Sequence, residues 1–141
     1  SSSSRGLGDV YKRQSLMNSM HVCDFHKSWV EQGLIKPQDF NFNLLQHPTW
    51  QRMDILPPEH KDRVKAKYEE HFKWLKNNDP LTRATKGFES AIDWMYKKDN
   101  QKHLGLFFAN TRKYDKIRNE NSVEVFPEWK ELFEKYETQA T

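Results

Sequence analysis

Thiols are nearly missing from this chain. One cysteine, Cys23, stands among 141 residues, so no intrachain disulfide can form. Such sparing use of cysteine fits a reducing cytosol, and a cytoplasmic location is the expectation. No stretch reaches the roughly 18 uninterrupted apolar residues that a membrane-crossing helix needs. The N-terminus has no apolar core of the signal-peptide kind. A Gly-rich phosphate loop, a Gly-x-Ser-x-Gly elbow and a pair of catalytic carboxylates are also missing. These absences argue against an enzyme whose whole active site lies inside the chain.

Apolar residues are scarce too. They make up 35% of the chain, against a usual share of roughly 45–50% with glycine counted. Aromatic residues, at 13%, compensate in part, since each can bury about 150–250 Å². The expectation is a domain that covers some of its apolar surface with a neighbour. Charge of one sign is also weak. Arg5, Lys12 and Arg13 against Asp9 supply +2 of the net +3, which leaves +1 for residues 15–141. A near-neutral body gives no broad electrostatic footprint for nucleic acid.

What the chain does have is helical periodicity. Phe25, Trp29 and Val30 follow Asp24, a residue suited to capping, and Gly33 is placed to stop that helix. Asp39 to Leu45 alternates, with Phe40, Phe42 and Leu44 on one side and Asn41 and Asn43 on the other, as in a half-buried strand. Ser15 to Val22 reads as a further short strand. Trp50, Met53, Ile55 and Leu56 form an extended or irregular apolar piece. Pro57-Pro58 opens a helix with Val64, Tyr68, Phe72 and Leu75 inward, and Lys61, Arg63, Lys65, Lys67, Glu69 and Glu70 on the wet side. Asp79 and Pro80 begin another, carrying Leu81, Ala84, Phe88, Ala91, Ile92 and Met95. Leu104, Phe107, Phe108 and Ile117 mark the next. Trp129, Leu132, Phe133 and Tyr136 then recur at i, i+3, i+4, i+7 behind Pro127, a favoured first helical residue. The fold class is mainly α, with one or two short β segments.

Several constellations invite chemistry. His21-x-Cys23-x-x-His26 offers three ligands where a structural zinc site wants four, and no second Cys/His pair follows. The plain reading is ordinary residues at a strand–helix junction. His60 and His71 share one helix without a His-Glu-x-x-His pattern and read as exposed histidines. Asp115 can pair with Arg112 and Arg118 along a helix surface, for about 0.2–0.5 kcal/mol each. The sharper alternative makes Arg112, Asp115, Arg118 and Asn119 a docking element for a neighbouring domain, since the Arg fork holds two donors in fixed geometry. Basic and aromatic residues interleave at Tyr68–Lys76 and Arg112–Arg118, as a single-strand nucleic-acid surface requires. Glu69, Glu70, Asp115, Glu120 and Glu124 interrupt them and weaken that reading.

Two resemblances organise these observations. Ser1 to Gln14 is polar, aperiodic and rich in Gly and Ser. It resembles the translated sequencing-adapter tails found at the ends of reading frames from environmental assemblies, and it is set aside from fold reasoning as a non-native or disordered tail. The second rests on runs that occur in order. These are Trp29-Val30-Glu31-Gln32-Gly33-Leu34-Ile35, Phe40-Asn41-Phe42-Asn43-Leu44-Leu45, Pro48-Thr49-Trp50, Ile55-Leu56-Pro57-Pro58-Glu59-His60-Lys61 and Tyr114-Asp115-Lys116-Ile117-Arg118-Asn119, with Phe126-Pro127. Together, over about Leu16 to Tyr136, they resemble the C-terminal portion of radical S-adenosylmethionine (radical SAM) proteins of the twitch/SPASM type, found in marine bacteria and phages.

That resemblance implies a parent enzyme whose iron–sulfur cluster, held by a Cys-x3-Cys-x2-Cys loop, cleaves S-adenosylmethionine reductively to start radical chemistry, with a peptide as one possible substrate. The loop is absent here, so none of its ligands carries over. This piece would bind no cofactor itself and would be inactive alone. Residues 15–46 would be a terminal strand–helix–strand remnant of a partial (β/α) barrel, and 47–141 its C-terminal helical extension. Asn18 and His21, near the strand end, would face cofactor or substrate. Arg112, Asp115, Arg118 and Asn119 would brace the extension against the missing N-terminal barrel, its expected partner. The alternative is a helical interaction module, bacterial or phage-encoded, that binds a protein or single-stranded nucleic acid.

Overall fold

The computed structural model describes residues 10–140. Strand β1 (Val10–Gln14) leads through a turn-rich loop into helix α1 (Val22–Glu31), then into strand β2 (Phe40–Leu44). Two 3-10 turns follow, Thr49–Gln51 and Met53–Ile55. Helices α2 (Pro58–Asn78), α3 (Arg83–Lys97), α4 (Leu104–Arg118) and the single-turn α5 (Ser122–Val125) come next. A 3-10 turn at Pro127–Trp129, an α turn at Lys130–Leu132, a π turn at Phe133–Glu137 and an α turn at Thr138–Ala140 follow. We call residues 127–137 the clasp. The protein is mainly helical with two short strands, as its periodicity predicts.

The strands pair in parallel, Val10 opposite Phe40 and Gln14 opposite Leu44. A parallel pair needs a crossover, and α1 supplies it. β1 falls in the stretch that the sequence reading set aside; residues 1–9 of that stretch lie outside the described residues. The strand expected over Ser15–Val22 is instead a run of turns. The Asn18 side chain accepts from the Ser15 backbone N–H (3.0 Å) and hydroxyl (3.3 Å). Such local bonds compete with a strand ladder. Asp24 does not cap α1, which starts two residues earlier behind His21. It sits in the first turn, where the helix dipole favours a carboxylate. Gly33 ends the helix with a φ of 74°, which glycine adopts without steric cost.

Pro58 opens α2 as expected. α3 starts later than its sequence suggests, at Arg83. Asp79 nevertheless caps it from a distance, accepting from the Thr85 N–H (2.8 Å) and hydroxyl (2.9 Å). Leu81 therefore stays outside the helix and outside the core. Ala84, Phe88, Ala91, Ile92 and Met95 are buried as one face.

One hydrophobic cluster runs from Leu16 to Phe133 across the 46/47 position. It includes Trp129, Leu132 and Phe133 of the clasp. α2 lies in the middle of it, and this overturns two readings. His60 and His71, expected to be exposed, are 3% and 6% exposed. Lys61, expected on the wet side, is buried, and its ammonium donates to the Lys98 carbonyl at 3.0 Å. The physical reason is that α2 is covered on more than one side, by α1, α3 and the clasp.

Candidate functional site

The loop between β1 and α1 meets α4 at a cleft of about 240 Å³. Met17, Trp50, Phe107 and Phe126 give it apolar walls, and Gln51, Thr111, Asp115, Arg118, Glu120 and Ser122 give it polar ones. Two residues expected to dock a neighbour, Asp115 and Arg118, thus line one concavity. Their bonds differ from the surface ion pairs of the sequence reading. Asp115 accepts from the Ser122 N–H (2.9 Å) and hydroxyl (2.6 Å), so it fastens the start of α5. Arg118 places its guanidinium 5.4 Å from the Tyr114 ring centre. Tyr114 in turn stacks on Trp50, with ring centres 6.2 Å apart and planes 19° from parallel. Asn119 ends α4 in the left-handed region with a φ of 54°, a conformation Asn tolerates better than most residues. Arg112 points elsewhere and grips Glu137 of the clasp with two bonds of 2.9 Å.

Beside the cleft, α4 shows an outer row. Leu106, Asn110, Tyr114 and Ile117 recur at spacings of 4, 4 and 3 and share one helix face. Leu106 is 50% and Ile117 68% exposed, and α5 adds Val125 at 62%. The opposite face of α4, with Leu104, Phe107, Phe108 and Thr111, is buried.

Asn18 and His21, the residues expected to face cofactor or substrate, lie in the β1–α1 loop, just past the C-terminal end of β1. His21 is committed to the clasp, with its Nε2 2.5 Å from a Glu128 oxygen. Next to it the Trp129 indole N–H donates to the Met17 carbonyl at 2.9 Å. The clasp therefore closes over this loop.

His21, Cys23 and His26 face three different neighbours. His21 meets Glu128, Cys23 lies 3.9 Å from the Lys67 carbonyl, and His26 meets His71. They do not form a joint ligand set, and no group of three His, Cys, Asp or Glu suited to a metal ion occurs among the described residues. Burial pushes the Cys23 thiol well above its ordinary value, which disfavours the thiolate that metals bind. One buried thiol does not fit a cluster that needs three thiolates.

Sequence reasoning missed the His26–His71 pair. His26 Nδ1 lies 3.0 Å from His71 Nε2, and His26 Nε2 lies 3.0 Å from the Pro37 carbonyl. A carbonyl only accepts, so His26 Nε2 carries the hydrogen, its Nδ1 accepts, and His71 Nε2 donates. Both rings are neutral in this arrangement. Burial lowers the pKa of His26, and that of His71 falls to about 3 through burial first, then through the charge that His26 would carry if protonated and the charges of Lys27 and Lys67. A signal was available in the helix period: His60 and His71 fall within about 80° of Val64, Tyr68 and Leu75 on α2.

Comparison with protein-family models, curated proteins and solved structures gives no significant match.

Proposed function

We propose that this chain is the C-terminal part of a radical SAM protein of the twitch/SPASM type, and that its role is to complete and brace the parent's barrel. The observation that carries the reading is helix α1 leading into strand β2 and then a helical extension, with β2 paired in parallel to β1, a strand that falls in the adapter-like stretch and stands in for the native barrel strand. That unit is the repeat from which (β/α) barrels are built, and their sites lie in the loops after the C-terminal strand ends. Asn18, His21 and the 240 Å³ cleft occupy such a loop region here. The cluster, the S-adenosylmethionine and the chemistry belong to the missing barrel, and this chain contributes no ligand to them. Its own residues hold shape. Asp115 fixes α5, Arg112 fixes the clasp, and the outer row of α4 offers Leu106 and Ile117 to a neighbouring surface. The encoding locus tests this directly. Its sequence upstream of Ser15 should contain, in frame, a Cys-x3-Cys-x2-Cys loop. A long upstream reading frame without that loop would overturn the assignment.

A second reading, a free-standing helical interaction module that binds a protein, is favoured by the same outer row. No helix among the described residues is long and apolar enough to cross a membrane. The single-strand nucleic-acid variant draws less support. The Tyr114 ring, its best stacking platform, already contacts Trp50 and Arg118.

A further inference from the structure

Helices α1 and α2 enclose a second groove, of about 350 Å³, away from the cleft on α4. Its floor holds His71, which is 6% exposed. The Nε2–H of His71 is spent on His26, so Nδ1 carries a lone pair and has no partner among the described residues. Trp74 stacks on the ring at 5.2 Å and 17° and fixes its plane. Three ammonium groups, from Lys27, Lys67 and Lys73, line the same groove with two carboxylates, Asp24 and Glu70. Lys67 reaches Asp24 at 3.5 Å and Lys73 reaches Glu70 at 3.0 Å. Lys27 makes no ion pair among the described residues. The groove thus combines a surplus positive charge with one acceptor, on a ring that is largely buried and held in plane by Trp74.

We propose that this groove binds a phosphate monoester, with Lys27 and Lys67 meeting its anionic oxygens and His71 Nδ1 accepting from its P–OH. The acceptor selects the class. A hydrogen phosphate or singly protonated monoester offers both negative oxygens and an O–H. A phosphodiester or sulfate offers the oxygens without the O–H, and against either one the His71 lone pair is repulsive.

The 141-residue chain, isotope-labelled and held at constant ionic strength, tests this by NMR at about pH 6, near the second phosphate ionisation. Inorganic phosphate and glycerol 3-phosphate should each shift the His71 ring signals saturably. Sulfate and dimethyl phosphate should bind about tenfold more weakly or worse, the loss expected for one charge-assisted hydrogen bond. Lys27→Gln, an exposed change that leaves the core intact, should weaken phosphate by about threefold to tenfold. Lys67→Gln should act likewise, so the result does not depend on altering His71 itself. Shifts that never saturate, sulfate binding as tightly as phosphate, or indifference to both lysine variants would overturn the proposal. Flotation with vesicles containing phosphatidic acid separates the possible sources. Capture there without saturable binding of glycerol 3-phosphate would place the ligand in a lipid headgroup and overturn the soluble monoester.

Discussion

Trp129 and Tyr114 are both large aromatic residues late in the chain, each on a segment shaped to pack against something. Trp129 is 1% exposed and donates its indole N–H to Met17. Tyr114 is 40% exposed and leans on Trp50 at the rim of a cleft. The clasp that carries Trp129 reaches three other parts of the chain. Glu128 takes the β1–α1 loop, Lys135 and Tyr136 take Glu59 of α2, and Glu137 takes Arg112 of α4. The outer row of α4 has no comparable cover among the described residues. A docking shape read from sequence therefore has two outcomes. The clasp serves its own domain, and the α4 row stays exposed among the described residues.

The comparison breaks most sharply at Trp129. Trp129→Ala should cost about 3–5 kcal/mol, as large-to-small changes at buried aromatics do. It removes the ring from between Met17 and His60 and orphans the Met17 carbonyl. Urea unfolding monitored by circular dichroism measures it. A loss below about 1 kcal/mol would mean that the clasp is a peripheral flap.

Acid should act on the buried side alone. His26, His60 and His71 all have pKa values lowered by burial. A histidine kept neutral in the fold but free to protonate when unfolded adds stability above the unfolded pKa, near 6.5. That stability is lost as pH falls toward the folded value, about 3 for His71. Each such group removes up to about 1.4 kcal/mol per pH unit. Glu59, lowered to about 2 by the Tyr136 hydroxyl, adds to the loss only below its unfolded value, near 4.5. The decline between about pH 6.5 and 4.5 thus belongs to the histidines. Denaturant midpoints across that range should fall steadily. A flat profile would show that these rings are not held neutral.

Asp115 sits between the two regions. It belongs to α4 but spends both oxygens on Ser122. Asp115→Ala should cost about 1–2 kcal/mol, the usual range for a capping carboxylate. Hydrogen exchange should quicken at Ser122 and Val123 and stay unchanged in α2.

Much of the fold was legible because its stripes are pure. Phe88, Ala91, Ile92 and Met95 of α3 have one possible inward face, and Pro58 and Gly33 mark helix ends by backbone geometry alone. Misreadings occur where one side chain serves two environments. His60 and His71 look wet by type, yet they share the α2 face of Val64 and Tyr68. The spacing of Trp129, Leu132, Phe133 and Tyr136 marks one apolar face but not what it packs against, because a spacing of 3 and 4 gives a direction and not an address. Ser15–Val22 read as a strand because Leu16 and Met17 are apolar, but Asn18 bonds locally and turns the chain. The candidate cleft was half legible. Asp115 and Arg118 could be picked out from the charge pattern on α4, whereas Met17 and Trp50 come from distant segments that no local pattern ties to them.

The smallest effect on stability discriminates best between the two surfaces. Ile117→Asp puts a carboxylate at a position 68% exposed. In the 141-residue chain it should change stability by no more than about 0.5 kcal/mol, because a surface site without special contacts has little to lose. If the α4 row faces a barrel in a longer protein, the same carboxylate becomes buried and unpaired there, a cost of a few kcal/mol. Melting the short and long proteins, each with and without the substitution, gives a double difference that isolates the interface. A large loss confined to the long protein means that the row is covered. Equal small losses in both mean that it faces water.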